Sequence, residues 1–229
     1  MISLKDVQYS YVNRQQRVDA VRGVTCDFEM GKLYALQGPS GSGKSTLLSL
    51  LAALDKPTSG EILWDGQSIY DIPPDRYRRT QVSIIFQAYN LLPYASVIEN
   101  VAYPAMLQGA KKGDALARAT ALLKKVGLDE SYSQRKPHML SGGEQQRVAI
   151  SRSLCSNALV ILADEPTGNL DGDNAESIRE ILVRLAHEEG RAVIMATHNP
   201  DMAVGADVHM RMRSGVISEW LPESAPNPS

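Results

Sequence analysis

The sequence contains no apolar run long enough to cross a membrane. Its longest, Leu47 to Leu54, is broken by Ser49 and falls far short of the roughly 18 residues that a span needs. The first ten residues, MISLKDVQYS, carry charges early and lack the apolar centre of a secretory signal. A role at a membrane would therefore require another protein to hold the chain there. Cysteine is scarce: Cys26 and Cys155 are the only two. They are far apart in the chain and suit small core positions in a reducing compartment, not a disulfide framework. Positive charge is not in excess either, since 24 Lys and Arg stand against 26 Asp and Glu for a formal net charge of −2. That balance argues against a general nucleic-acid coat. Internal repeats and low-complexity tracts are missing as well. What remains is globular material, 43% hydrophobic and 22% charged, which excludes whole-chain disorder. At 229 residues such a chain buries roughly 70% of its extended surface and folds without a disulfide or structural metal.

Periodicity divides the chain into three stretches. Ile2–Tyr11 and Val18–Phe28 read as strands, rich in β-branched and aromatic residues, and imply an N-terminal antiparallel β region. Leu33–Gln37 is a buried strand entering a glycine-rich turn, after which Lys44–Leu54 reads as a helix. Glu61–Ile69 is a hairpin turning at Asp65-Gly66, and Val82–Phe86 another apolar strand. From about residue 88 to 157 the pattern turns helical, with Leu116, Ala119, Leu122, Leu123 and Val126 at helix spacing before a Gly127 cap. Strands return at Leu159–Ala163 and Ala192–Ala196. Between them runs an amphipathic helix with Ile178, Ile181, Leu182 and Leu185 on one face, ending at Gly190. Strands alternating with helices predict a mostly parallel sheet. The expected fold is thus α/β: one domain over 1–221, a core with a mostly parallel sheet and a helical subdomain inserted at 88–157, and a frayed tail over 222–229.

Three motifs carry chemistry. Gly38-Pro39-Ser40-Gly41-Ser42-Gly43-Lys44-Ser45-Thr46 follows a strand and opens a helix, the context a P-loop requires. Glycines let successive N–H groups turn inward around a polyphosphate, and the helix N-terminus adds partial positive charge. Lys44 supplies a point charge to the β- and γ-phosphates, Ser45 a hydroxyl to Mg²⁺, and Thr46 a donor to another phosphate oxygen. Leu159–Ala163 ends in Asp164 and Glu165. Adjacent strand residues face different ways, so the two acids have separate tasks: Asp164 in the Mg²⁺ shell and Glu165 as general base on the attacking water. Leu140-Ser141-Gly142-Gly143-Glu144 opens a helix with a capping-box spacing. Two glycines there cost about 1 kcal/mol each relative to alanine, which makes sense where backbone must approach a ligand.

Together these motifs resemble the ATP-binding subunits of ABC transporters. The order matches over nearly the whole chain: the P-loop, Gln87 after a strand, the LSGGE signature, Asp164-Glu165, Asn169-Leu170-Asp171, and His198 after a strand. The resemblance implies a P-loop NTPase core, ATP hydrolysis with Mg²⁺ and further roles for single residues. Tyr11, with Tyr9 as rival, would stack on adenine. Gln87 would touch Mg²⁺ and the lytic water, and His198 the γ-phosphate. Asp171 would act across a dimer, in which Ser141 and Gly143 reach the γ-phosphate held by a second copy. Glu144 departs from the glutamine of many relatives.

Residues Phe86–Pro93, Thr167–Asp171 and Ala196–Pro200 are similar to the branch that contains the MacB, LolD and FtsE ATPases. That likeness implies an FtsX- or MacB-like permease docked near Gln87–Tyr94 and a peripheral location on the cytoplasmic face of the membrane. It also implies export or extraction of an amphiphile such as haem, an antimicrobial peptide, a lipoprotein or a macrolide. No nucleic-acid partner is expected. An FtsE-like signalling ATPase that regulates a cell-wall hydrolase, a solute importer and a soluble repair or translation ATPase stand as alternatives.

Overall fold

A computed structural model of the chain describes residues 1–12, 17–168 and 172–219. In chain order, β1 is Ile2–Val12, β2 Arg17–Phe28 and β3 Leu33–Gln37; α1 is Lys44–Leu51, followed by β4 Ser59–Trp64, β5 Gln67–Ser68, α2 Pro74–Thr80 and β6 Val82–Ile85. Three helices come next, α3 Val97–Leu107, α4 Lys112–Lys125 and α5 Gly142–Leu154. The chain continues with β7 Val160–Asp164, α6 Gly172–His187, β8 Ala192–Thr197, β9 Val208–Arg213 and β10 Val216–Glu219. Among the described residues no helix is long and apolar enough to cross a membrane.

Two sheets organise these elements. An antiparallel sheet runs β2-β1-β4-β5, and a second of six strands runs β10-β9-β3-β8-β7-β6. In the second, all pairings are parallel except β9 with β10. The central strands are apolar at nearly every position because helices or the other sheet cover both faces. Alternation then divides their side chains between two cores. Leu33, Ala35, Ile161, Ala163, Val193 and Met195 join the layer containing α3, α4, α5 and α6. Tyr34, Leu36, Val160, Leu162, Ala192, Ile194 and Ala196 join the layer containing α1 and the antiparallel sheet. At the carboxyl ends of β3, β7 and β8 the chain leaves the sheet, and there the P-loop, Asp164-Glu165 and His198 stand.

Three local outcomes differ from the sequence reading. Helix α1 closes at Leu51, not Leu54, because Ala53 turns to φ +49°. Its N–H bonds Leu50 at 3.0 Å and that of Leu54 bonds Ser49 at 3.0 Å, the pairing that terminates helices. Helix α2 and the β9–β10 hairpin were not anticipated. The first has a single buried anchor, Tyr77, whose hydroxyl donates to the Leu51 carbonyl at 3.0 Å, and one anchor leaves no apolar period to read. The Gly127 cap does form. At φ +77° it donates to Lys124 at 3.1 Å, and Leu128 donates to Leu123 at 2.9 Å. The expectations for residues 222–229 lie outside the described residues.

The segment after β6 is clamped by one side chain. Asn100, fully buried in α3, accepts the Leu92 N–H at 2.7 Å. Its amide donates to the carbonyls of Leu92 at 3.1 Å, Ala95 at 3.2 Å and Ser96 at 3.0 Å. Asn100→Ala is expected to lower stability by about 2 kcal/mol, because loop groups lose a partner that water cannot readily replace. The check is a lower urea midpoint at unchanged slope.

Candidate active site

The loop between β3 and α1 is built against backbone on both sides. A Cβ on Gly38 would stand 2.2 Å from the Met212 carbonyl oxygen, and one on Gly43 2.2 Å from that of Ala20. Gly43 also takes φ +107° where it opens α1, a conformation that glycine adopts without steric cost. The loop borders an open cavity of about 380 Å³, within the range of small-molecule sites. Ser40, Gly41, Ser42, Gly43, Lys44, Ser45 and Thr46 line it, joined by Tyr11, Gln87 and Glu165.

Lys44 is almost buried, and its Nζ donates to the carbonyls of Gly38 at 2.8 Å and Pro39 at 3.2 Å. It lies 3.9 Å from Glu165 Oε1. Ser45 Oγ donates to Asp164 Oδ1 at 3.0 Å. Burial pushes the Asp164 carboxyl above the usual carboxylate range, the Ser45 bond opposes this, and the neighbouring Glu165 adds to it. A hydroxyl and a carboxylate meeting in this way are hard oxygen donors of the kind Mg²⁺ takes, and Mg²⁺ needs few of them because it keeps water. Among the described residues there is no cluster of three or more His, Cys, Asp or Glu placed to hold a metal by themselves.

Glu165 has partners different from those of Asp164. It leaves β7 at φ +45°, with its N–H bonded to the Ala196 carbonyl at 2.9 Å. A non-glycine residue held in this region marks backbone that the surroundings determine. Its Oε2 lies 2.9 Å from His198 Nδ1 and accepts the His198 N–H at 3.4 Å. Gln87 follows β6 at the cavity edge, and a Cβ on Gly168 would meet its Nε2 at 2.9 Å. Tyr11 lies on the cavity wall, half-exposed, its hydroxyl 3.2 Å from Thr46 Oγ1. Tyr9 packs edge-on against it with ring centres 5.0 Å apart and does not line the cavity.

The LSGGE helix stands apart. Ser141 caps α5: its Oγ accepts the Glu144 N–H at 3.3 Å, and Glu144 Oε2 accepts the Ser141 N–H at 2.7 Å. That N–H holds the Glu144 carboxyl below its usual range. Ser141 is exposed and Gly143 is buried within the chain, and neither borders the cavity. Asp171 lies outside the described residues. Sequence reasoning missed the opposite rim, where Val18, Asp19, Ala20, Ser214 and Gly215 complete the wall. The one available signal was a Ser-Gly turn after the alternating run Val208–Arg213.

A family model described as "ABC transporter" matches residues 21–168. The LolD 1 lipoprotein-releasing system ATP-binding protein of Rhodospirillum rubrum is 42% identical over 219 residues, 94% of this chain and 96% of that one. The macrolide export ATP-binding/permease protein MacB of Syntrophobacter fumaroxidans is 42% identical over 229 residues, which are 98% of this chain and 32% of that longer protein. Two solved structures of the MJ0796 cassette superpose with a TM-score of 0.90, each covering 98% of this chain and 100% of that one. One, 35% identical, is described as dimeric; the other, 34% identical, as a dimeric post-hydrolysis state bound to ADP and Pi.

Proposed function

The chain belongs to the ABC transporter family as an ATP-hydrolysing, ATP-binding subunit, and from that premise we propose that it works as a two-fold dimer driving a membrane permease that exports or extracts an amphiphile. One observation carries the dimer. Lys44, Ser45 and Glu165 line one cavity, with Asp164 bonded to Ser45 and His198 to Glu165 behind them, while Ser141 is exposed and does not border it. A second copy related by a two-fold axis supplies the missing face, and the arrangement is self-complementary.

In this reading Tyr11 stacks on adenine and the N–H groups of residues 38–46 surround the phosphates. Lys44 turns from the Gly38 and Pro39 carbonyls to the β- and γ-phosphate oxygens. Ser45 and Asp164, with Gln87, would hold Mg²⁺, which would supply charge neutralisation at the phosphates. Glu165 accepts a proton from the attacking water, and His198 orients its carboxylate. Closure of the two copies excludes water from the reacting phosphate.

The partner surface lies beside Gln87. Leu54, Phe86, Pro104 and Leu107 line an apolar groove of about 300 Å³ bordered by Arg78 and Arg79. In the 89–94 stretch, Leu91 packs onto the core while Tyr94 is 92% exposed and Leu92 41%. We assign the groove and the protruding Tyr94 together as the permease contact, which holds the chain at the cytoplasmic face. Leu107→Asp is expected to abolish co-purification with the permease and to leave ATP hydrolysis by the isolated chain within twofold. Retained co-purification would remove this surface.

The similarity to LolD and MacB supports an amphiphilic cargo. The test is ATPase activity of the complex in proteoliposomes. Stimulation by an acylated lipoprotein or a macrolide supports transport. Response only to a cell-wall hydrolase would replace it with the FtsE-like signalling role.

A further inference from the structure

The P-loop rests on a part of the chain that carries no motif, the turn between β9 and β10. Ser214 and Gly215 form it with φ of +47° and +82°, the paired positive angles of a two-residue hairpin turn. The Gly215 N–H donates to the Ser42 carbonyl at 3.0 Å, and the Gly215 carbonyl accepts the Arg22 N–H of β2 at 2.8 Å. One residue therefore ties the parallel sheet, the antiparallel sheet and the P-loop together. Both turn residues border the cavity beside Gly43 and Lys44.

The direction of these bonds has a chemical consequence. A trans peptide sends its C=O and N–H to opposite sides, so capture of the Ser42 carbonyl turns the Gly43 N–H away from the hairpin. Gly43 opens α1, where backbone N–H groups are donors to bound anions. There is little slack. A Cβ on Gly43 would be 2.2 Å from the Ala20 carbonyl oxygen and 2.7 Å from Met212 Cε. Both neighbours belong to the strands that Gly215 links.

Resting on the reading of the cradle as a polyphosphate site, we propose that Gly215 is a positioning residue for the nucleotide. Its N–H holds the Ser42–Gly43 peptide in the orientation that receives phosphate. The β9–β10 turn thereby sets affinity for the phosphate chain and not for the base.

Two variants test this by different routes. Asparagine tolerates left-handed backbone, but in Gly215→Asn the Cβ meets Arg22 Cγ at 2.9 Å and the Ala20 oxygen at 3.0 Å, displacing the turn from Ser42. Arg22→Pro deletes the N–H that the Gly215 carbonyl accepts, on an edge strand where proline is tolerated, and is read against Arg22→Ala, which loses the same guanidinium but keeps the N–H. Gly66→Asn is the control, in a second turn at φ +85° with open space around it. Calorimetric titration of the full chain uses Mg-ADP and inorganic tripolyphosphate as probes. Gly215→Asn is expected to weaken both about tenfold and Arg22→Pro both about threefold, with Gly66→Asn unchanged. Turnover at saturating ATP should stay within twofold, so that KM moves and kcat does not. Parental affinity in both hairpin variants, weakening for ADP alone, or an equal loss in Gly66→Asn each overturns the proposal. Lys44→Ala separates the two levels. If it also binds normally, the polyphosphate reading has failed, whereas its loss beside an unaffected Gly215→Asn removes the positioning role alone.

Discussion

Glu165→Gln is expected to retain Mg-ATP binding, to lose hydrolysis by about 10²–10⁴-fold, the usual contribution of a positioned base, and to accumulate as a dimer. The amide has nearly the size of the carboxylate and can still accept a hydrogen bond from His198, now 2.9 Å from Oε2. It cannot take a proton from water. It also removes a negative charge that lies 3.9 Å from Lys44 Nζ, at a point where the substrate brings several negative charges of its own. In the proposed dimer, binding without hydrolysis would leave the terminal phosphate in place between the two copies. Moving a closed/open balance from 1:99 to 99:1 requires about 5.5 kcal/mol of preference for the closed form. Charge-assisted bonds contribute roughly 1.5–3 kcal/mol each, so two or three extra donors from the facing Ser141 and α5 suffice. Single-turnover hydrolysis and light scattering at saturating Mg-ATP check the two halves separately. Hydrolysis at the parental rate would remove Glu165 as base. A monomer under those conditions, with the membrane partner added, would remove the shared site.

Lys44→Ala should reduce affinity for Mg-ATP by about 100-fold or more, and for Mg-ADP, which has no γ-phosphate to contact, by about tenfold. Two lost charge-assisted phosphate bonds at the lower end of their range account for the loss with ATP, with each tenfold step worth about 1.4 kcal/mol. The Lys44 ammonium is held by two backbone carbonyls, Gly38 and Pro39, at 2.8 and 3.2 Å, which keep it at the mouth of the cradle. Removing the side chain leaves those carbonyls beside the open cavity, so the thermal midpoint should fall by only a few degrees. A titration showing parental affinity would dismantle the cradle assignment.

Much of this site is legible because its chemistry is contiguous. Residues 38–46 run without a break from the end of a strand through a turn into a helix, and backbone geometry over so short a span leaves few arrangements. The Ser141–Glu144 capping box is equally local, and it forms as its spacing predicts. Alternation in Val160–Asp164 separates successive side chains, and Asp164 meets Ser45 while Glu165, just past the strand, meets His198. Helix α1 runs shorter than its apolar pattern because Ala53 turns to positive φ, a choice made by packing that composition does not encode.

By itself, then, the amino-acid order determined the chemical vocabulary: a phosphate cradle, two acids with distinct tasks, and a capped signature helix. Only the tertiary structure decided which of these residues meet. Sheet order brings β7 and β9 to either side of the β3–β8 pair, and so joins Ser45 to Asp164 across 119 residues and seats Gly215 against Ser42. The apolar groove likewise draws Leu54, Phe86 and Leu107 from three separate segments. Periodicity reports the face on which a side chain lies. The neighbour that face will have is set by strand pairing and loop closure over long separations, where no local spacing rule applies.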